Sequence, residues 1–159
     1  MKILLREARD SDMELIMAWR SNPLIYQGLY RQSVTKIPLT WQEHWDWWNS
    51  RYNWRIFIIQ VNDSNWTRDV GYINIGQLDH WEPELGITIG EVSLWGKGVG
   101  KQALSLALDW LKEKGYKYVH TSIIKGNDNS IKLFEGLGFR RIGEAREGEW
   151  EYKLCLPTL

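Results

Sequence analysis

Apolar residues recur along the chain with two spacings, one typical of strands and one typical of helices. Leu85, Ile87 and Ile89 alternate with small or polar residues, as expected of a strand with one buried face. Val99 and Ala103 begin a series that returns every three or four residues, as on one side of a helix. The patterns predict strands at residues 2–6, 55–61, 70–77, 84–92, 118–124, 140–143 and 150–156, and helices that begin near residues 11, 40, 99 and 127.

Short polar motifs mark the ends of the first two predicted helices. Ser11 with Glu14, and Thr40 with Glu43, have the spacing of capping boxes, in which each side chain bonds a backbone N–H of the other residue. The dipeptide at residues 22–23 contains proline and should end the first helix. The second helix is expected to reach about residue 50.

The helix that begins at Val99 is apolar almost all round, because leucine and alanine also occupy the positions beside the main stripe. Such a helix is expected to be buried. Gly115 supplies a left-handed stop, just after two lysines that suit the negative end of the helix dipole.

In chain order, these elements predict a single α/β domain with a mixed, mainly antiparallel central sheet flanked by helices. Polar turns at residues 62–69 and 79–83 join consecutive strands, as between antiparallel neighbours. Residues 24–39 are less regular, and no repeat or low-complexity segment divides the chain. One domain is therefore expected over residues 1–159.

Composition restricts the partners and the compartment. The 20 basic residues balance 20 acidic ones, so no general attraction to nucleic acid or to an acidic membrane is expected. Cys155 is the single cysteine, which excludes an intramolecular disulfide, and no Cys/His spacing indicates a metal. No signal peptide or membrane-spanning run is recognised. The cytoplasm is the expected location.

The glycine-rich loop at residues 94–101 is the most informative motif. Its three glycines allow a sharp turn that exposes backbone N–H groups, and the following helix adds its free amides and positive dipole end. Two lysines add positive charge. The loop is predicted to bind phosphate; the alternative is an ordinary flexible turn.

Two common phosphate-binding motifs do not fit this loop. A nucleoside-triphosphate P-loop would need glycine at Trp95 and Ser or Thr at Gln102. A dinucleotide fingerprint that starts at Gly96 would need a third glycine at Lys101. The phosphate therefore belongs to another class of ligand.

A second motif, in residues 127–139, completes a resemblance to the GNAT N-acetyltransferase superfamily. Gly98 and Gly100 fall on the glycine positions of that family's pyrophosphate loop. The matches to its later helix are Asn127, Ser130, Leu133, Glu135, Gly138 and Phe139. Within the superfamily, the chain is most similar to the branch of ribosomal-protein N-terminal, spermidine and aminoglycoside acetyltransferases.

The resemblance implies acetyl-CoA as the cosubstrate. The backbone of residues 92–94 is expected to pair with the pantetheine arm in a gap between splayed strands. Asn127 is expected to bond the pantetheine amide, or to serve only as a helix cap. The expected cofactor contacts are Val92, Ser93, Leu94, Trp95, Gly96, Lys97, Gly98, Val99, Gly100, Lys101, Asn127, Ser130 and Lys132.

The chain departs from the family pattern at two positions. Trp95 stands where many members carry Gln or Arg, although tryptophan is familiar in the branch just named. Phe134 stands where many members carry the tyrosine that protonates the coenzyme A thiolate, and it has no hydroxyl. Ser130 is the predicted substitute; the alternative is an ordinary polar residue of the first helical turn.

Acetyl transfer to an amine also calls for a group that accepts the amine proton. Glu84, on the strand before the loop, is the first candidate for this general base, followed by Glu91 and His80. The alternative for Glu84 is a solvated strand residue.

Tryptophan is in large excess, with 11 in the chain and a cluster in residues 41–54. Trp41, Trp45 and Trp48 share one helical face, which is typical of a core stripe, whereas Trp47 points elsewhere. The cluster could instead form an aromatic wall for the acceptor, or be buried in a homodimer.

The function expected from the sequence is direct acetyl transfer, in a ternary complex, to the primary amine of a small molecule or amino sugar. A protein N-terminal amine is the alternative acceptor. A non-catalytic acyl-CoA-binding module is the alternative of another class, which the phenylalanine at position 134 keeps open.

Overall fold

A computed structural model describes residues 1–26, 40–50 and 52–157. The described strands are β1 Lys2–Glu7, β2 Arg55–Asp63, β3 Trp66–Gly76, β4 Glu84–Ile89, β5 Tyr118–Ile124, β6 Arg140–Glu144 and β7 Glu149–Cys155. The described helices are α1 Met13–Ser21, α2 Pro23–Tyr26, α3 Trp41–Asn49, α4 Val99–Glu113 and α5 Asp128–Gly136.

The strands form one sheet in the order β1-β2-β3-β4-β5-β7-β6. Neighbouring strands run antiparallel except β4 and β5, which are parallel, so the mixed and mainly antiparallel sheet is confirmed. β4 and β5 are paired at Glu84 and His120, where the His120 N–H donates to the carbonyl of Pro83 at 3.0 Å. Both strands are described along their whole length, and they share no further residue pair, so a gap opens between them beyond Glu84.

Helices cover both faces of the sheet. Side chains alternate between these two faces along each strand, so each face has its own apolar cluster. Ile56 and Ile58 of β2 pack in a cluster with α1 and Trp48 of α3. Ile59 and Val61 belong to the larger cluster on the other face, which contains the buried side of α4 and Phe134 of α5. The fold thus places α1 and α3 on one face of the sheet and α4 and α5 on the other.

The first helix begins later than the predicted capping box. Ser11 lies in a short 3-10 turn, Asp10–Asp12, and α1 begins at Met13. The Asp12 carboxylate accepts a hydrogen bond from the Arg9 N–H at 2.8 Å and thereby holds this turn. The Thr40 cap of α3 is confirmed, since its hydroxyl oxygen accepts from the Glu43 N–H at 3.1 Å.

Three other expectations need correction. The predicted turn at residues 62–69 is a tight hairpin, in which β2 and β3 stay paired out to Asp63 and Trp66. β4 ends at Ile89, three residues early, and Val92–Leu94 form a 3-10 turn. α4 is amphipathic rather than buried all round, because Gln102, Ser105 and Leu106 are exposed.

A buried carboxylate ties β1 to the start of α1. Arg6 donates to both oxygens of Asp12, at 2.9 and 2.7 Å, and to Asp69 of β3 at 2.9 Å. Hydrogen bonds from Arg6 hold the pKa of Asp12 below its ordinary value. This interaction stabilises the fold above the unfolded-state pKa, and the stability is lost as pH falls through the lower folded-state pKa.

We therefore expect Asp12→Asn to lower the free energy of unfolding at neutral pH by about 2 kcal/mol. The difference from wild type should shrink as pH falls below about 4, because the Asp12 carboxylate of the unfolded wild type is protonated there, and that of the folded state, with its lower pKa, is protonated at still lower pH. Urea unfolding at pH 7 and pH 3 measures both effects. Asp109→Asn, at an exposed position of α4, is the control, and an Asp12→Asn difference independent of pH would contradict the assignment.

Candidate active site

Two cavities meet at the gap between β4 and β5. The loop cavity, about 940 Å³, lies against the glycine-rich loop, β4 and the start of α5. The aromatic cavity, about 400 Å³, lies against α1, α3, β3 and β4 and contains Trp47, Trp54 and Tyr72 in its wall. Residues common to both walls are Ile87, Thr88, Ile124 and Ser130. A ligand in one cavity can therefore meet a ligand in the other at the gap.

The loop cavity gathers most of the predicted cofactor residues. Its wall includes Leu94, Trp95, Gly96, Gly98, Val99, Gly100, Lys101, Asn127, Ser130 and Lys132. Val92, Ser93 and Lys97 lie outside this wall. Most of the expected cofactor contacts from the glycine-rich loop and from the start of α5 therefore lie on one cavity wall.

Backbone geometry at the loop explains its glycines. Gly96 and Gly98 have φ angles of +75° and +83°, which residues with a Cβ rarely adopt. Gly98 is the N-cap of α4, and the Gln102 N–H donates to its carbonyl at 3.1 Å. The N–H groups in the first turn of α4 point toward the N-terminus of the helix. This end lies at the loop cavity and is the positive end of the helix dipole. This end of the helix is therefore suited to attract an anion.

Gly100 serves helix packing. A Cβ at this position would lie 3.3 Å from Cδ2 of Leu133 in α5, closer than such contacts normally are. α4 and α5 can therefore approach each other beside the loop cavity.

The segment before the loop, Val92–Leu94, forms a 3-10 turn. The N–H groups of Leu94 and Trp95 donate to the carbonyls of Glu91 and Val92, at 2.9 and 3.0 Å, within the 3-10 turn. The backbone next to the gap belongs instead to Ile87, Thr88 and Ile89 of β4. Trp95 holds the end of this strand, because its indole N–H donates to the carbonyl of Ile89 at 2.9 Å.

Asn127 caps α5. Its side-chain oxygen accepts a hydrogen bond from the Ser130 N–H at 3.3 Å, so the helix-cap role expected for Asn127 is observed. This bond holds Ser130 in the first turn, on the wall that the two cavities share.

A polar cluster lies at the paired end of the gap, where Glu84 forms part of the aromatic cavity. His120 Nδ1 is 4.0 Å from a Glu84 oxygen and 2.7 Å from a Glu151 oxygen. His120 Nε2 lies 3.0 Å from Oε1 of Gln77, and Ser122 donates to the second Glu151 oxygen at 3.2 Å. Each ring nitrogen of His120 thus has a side-chain oxygen within hydrogen-bond distance, Glu151 at one and Gln77 at the other, close to Glu84.

Arg20 of α1 reaches the same cavity from the opposite side. It is 5% exposed, and its guanidinium carbon lies 3.9 Å from the ring centroid of Trp47. His44 Nε2 is 2.8 Å from the Met13 carbonyl, which can only accept, so this nitrogen carries the proton. Nδ1 then accepts from Arg20 at 3.3 Å. Burial lowers the pKa of His44 and so favours this neutral form.

The tryptophans and the remaining candidate site residues lie in different environments. Trp48 is buried, Trp41 is 44% exposed, and Trp47 and Trp54 face the aromatic cavity. Glu91 and His80 lie outside both cavity walls. Phe134 is buried against Phe139, with ring centroids 5.1 Å apart, and forms part of the aromatic cavity.

Sequence reasoning missed Arg20, Gln77, His120 and Glu151. His120 and Glu151 sit in strand patterns that alternate like ordinary half-exposed positions, and only the pairing of β5 with β7 brings them together. Arg20 lies at the end of the first predicted helix, where a charged side chain is usually exposed to solvent. The sign that could have found it is its place on the apolar stripe with Met13 and Ile16.

Among the described residues, no group of three or more His, Cys, Asp or Glu side chains is arranged to hold a metal ion. In the same ranges, no helix has the length and apolar character needed to cross a membrane. Cys155 is exposed at the end of β7 and lies outside both cavity walls.

Comparison with known proteins adds independent findings. The family model for the acetyltransferase (GNAT) domain matches residues 2–140. The uncharacterized protein MJ1062 of Methanocaldococcus jannaschii is 50% identical over 155 residues, which cover 98% of this chain and 31% of that protein. This chain thus spans less than half the length of that relative.

Two solved structures show how far the likeness in fold extends. A domain from Methanocaldococcus jannaschii, 50% identical, superposes with a TM-score of 0.93 over 98% of this chain and 99% of that chain. The spermidine N-acetyltransferase of Vibrio cholerae, in complex with CoA and spermine, gives a TM-score of 0.81 over 97% of this chain and 95% of that chain. It is 18% identical, so the likeness concerns the fold.

Proposed function

The chain belongs to the GNAT acetyltransferase family, and we propose on this premise that it transfers an acetyl group from acetyl-CoA to the primary amine of a small molecule or amino sugar. The observation that carries the proposal is the meeting of two cavities at the β4–β5 gap. The loop cavity has an anion site for a pyrophosphate, and the aromatic cavity has room for an acceptor. Transfer then takes place in a ternary complex.

The loop would hold acetyl-CoA by its phosphates. Amides at the start of α4 would bond the pyrophosphate, and Lys101 would add positive charge. Lys132, on the same cavity wall, would meet another phosphate. The pantetheine arm would follow the β4 edge at residues 87–89 toward the gap.

The acceptor nitrogen must be neutral when it attacks the thioester carbonyl. An alkylamine with a pKa near 10 requires about 4 kcal/mol to lose its proton at pH 7. In the proposed mechanism Glu84 takes this proton, directly or through water, with His120 and Glu151 behind it. The neutral nitrogen then bonds to the carbonyl carbon, the C–S bond breaks, and the coenzyme A thiolate leaves. The nitrogen gives up a second proton, which balances the proton that the thiolate takes up.

The departing thiolate needs a proton donor, and Phe134 has none to give. Ser130 lies on the wall shared by both cavities and is the proposed donor. Ser130→Ala should therefore lower kcat about 10-fold, while the Kd for CoA stays within a factor of two or so. Steady-state kinetics and calorimetric CoA titration measure these two quantities.

Asp128→Ala is the matched control, because Asp128 lies on the same first turn of α5 but is exposed and outside both cavity walls. It removes a side chain from the start of the helix without touching either proposed ligand. It should leave kcat near the wild-type value. Equal losses in both variants would show that Ser130 only supports the helix.

The proposal as a whole is tested by thiol release from acetyl-CoA over a panel of amines, amino sugars and peptides. Product formation with a small amine or amino sugar would support it. Transfer only to peptide N-termini would favour the protein acceptor, and tight CoA binding without transfer to any acceptor would favour a binding module.

A further inference from the structure

We propose that Arg20 binds an anionic group of the acceptor, so that the acetylated amine also carries a carboxylate or a phosphate. This rests on the proposed function and adds the chemical class of the substrate. Arg20 is buried in the wall of the aromatic cavity, and Glu84 supplies the opposite charge in the same wall.

Within the part of the chain that the structure describes, Arg20 is a buried cation without an ion pair. It is 5% exposed, and none of the salt bridges in the described part of the chain involves it. Residues 27–39, 51, 158 and 159, which the structure does not describe, include no Asp or Glu. Arginine is rarely buried to this degree unless it is paired.

The neighbours of the guanidinium are neutral at pH 7. One of them is Tyr72, whose pKa is raised above its ordinary value by burial. His44 offers the lone pair of Nδ1, because its other nitrogen donates to the Met13 carbonyl. The Trp47 ring offers its negative face at 3.9 Å. These contacts orient the guanidinium and leave its positive charge uncompensated.

The rest of the fold does not need this charge. A buried charge that lacks a counter-ion lowers stability, whereas an apolar side chain of similar volume would fill the same space without that penalty. A structural role would be met by such a side chain. The guanidinium lies in the wall of the aromatic cavity, where an anionic ligand can supply the missing charge with two parallel hydrogen bonds.

Charge across the cavity gives the orientation of the acceptor. Glu84, in the same wall, belongs to the polar cluster at the paired end of the gap. The amine would lie toward Glu84 and the gap, and the anion toward Arg20. A polyamine would instead bring a second positive charge toward the arginine, which disfavours that class of acceptor.

Binding is tested first with two simple anions, inorganic phosphate and acetate, on the CoA-saturated protein. At least one anion should raise the Tm of wild type and of Arg55→Met, an exposed arginine control, but not of Arg20→Met. The absence of a rise in wild type, or an equal rise in Arg20→Met, would overturn the proposal.

Matched acceptors then identify the anion. Phenylalanine is compared with 2-phenylethylamine, and glucosamine 6-phosphate with glucosamine, by kcat/KM for acetyl transfer. For the preferred pair the anionic member should be favoured about 30-fold, and Arg20→Met should abolish the preference. The carboxylate pair and the phosphate pair distinguish the two sources.

Stability separates a ligand contact from a structural one. Arg20→Met should keep or raise the Tm, whereas Arg6→Met, which removes an arginine paired with two carboxylates, should lower it. If Arg20→Met does not fold, Arg20→Lys keeps the charge and should retain part of the preference. Anion binding through Arg20 without transfer to any amine would reject the proposed function alone.

Discussion

Gly98→Asp is expected to weaken CoA binding by at least about 100-fold, equivalent to roughly 3 kcal/mol. The added carboxylate would stand at the N-cap of α4, beside the amides proposed to hold the pyrophosphate. Two negative groups would then compete for one positive helix end. Calorimetric titration with CoA measures the change in Kd.

Gly115→Asp is the matched control for this variant. Gly115 also has a positive φ, +90°, and a Cβ there would meet no neighbouring atom. The two variants therefore share the backbone strain of about 1–2 kcal/mol and the added charge. They differ in place, since Gly115 follows the other end of α4. Equal CoA affinities would refute the loop as the pyrophosphate site.

Glu84→Gln is expected to reduce kcat/KM about 100-fold at pH 7. The amide cannot accept the amine proton, so the acceptor must lose it to solvent before it attacks. As pH approaches the amine pKa of about 10, more acceptor is already neutral and the deficit should shrink. A pH profile of kcat/KM for wild type and variant measures this recovery.

Glu91→Gln is the control, because Glu91 follows β4 but lies outside both cavity walls. It should keep the wild-type profile. A loss in Glu84→Gln that is constant across pH would assign Glu84 to acceptor positioning instead of proton transfer.

Sequence patterns predicted the elements of this fold well because each has a local cause. Alternation located β5 without error, from Tyr118 to Ile124, and the Asn127 cap located the start of α5. The errors arose where tertiary contacts outweighed local signals. Asp12 binds the Arg6 side chain, which β1 and Asp69 of β3 hold in place, and the Arg9 N–H, and these bonds place the helix start past Ser11.

The candidate site was predictable only in part, for a physical reason. Phosphate binding uses consecutive backbone amides, so the loop leaves a compact sequence motif. The aromatic cavity draws Arg20, Trp47, Tyr72 and Glu84 from four separate elements. Their proximity follows from strand order and helix packing, which no local spacing encodes.

The single residue pair between β4 and β5 also bears on how the molecule unfolds. The sheet consists of two continuously paired halves, one of strands β1 to β4 and one of strands β5, β7 and β6. Backbone pairing joins the two halves at Glu84 and His120. The core that spans both ladders must therefore supply most of their coupling. A ligand seated in the gap would act as an added strand between two half-sheets, so cofactor occupancy would raise the cooperativity of unfolding as well as the stability.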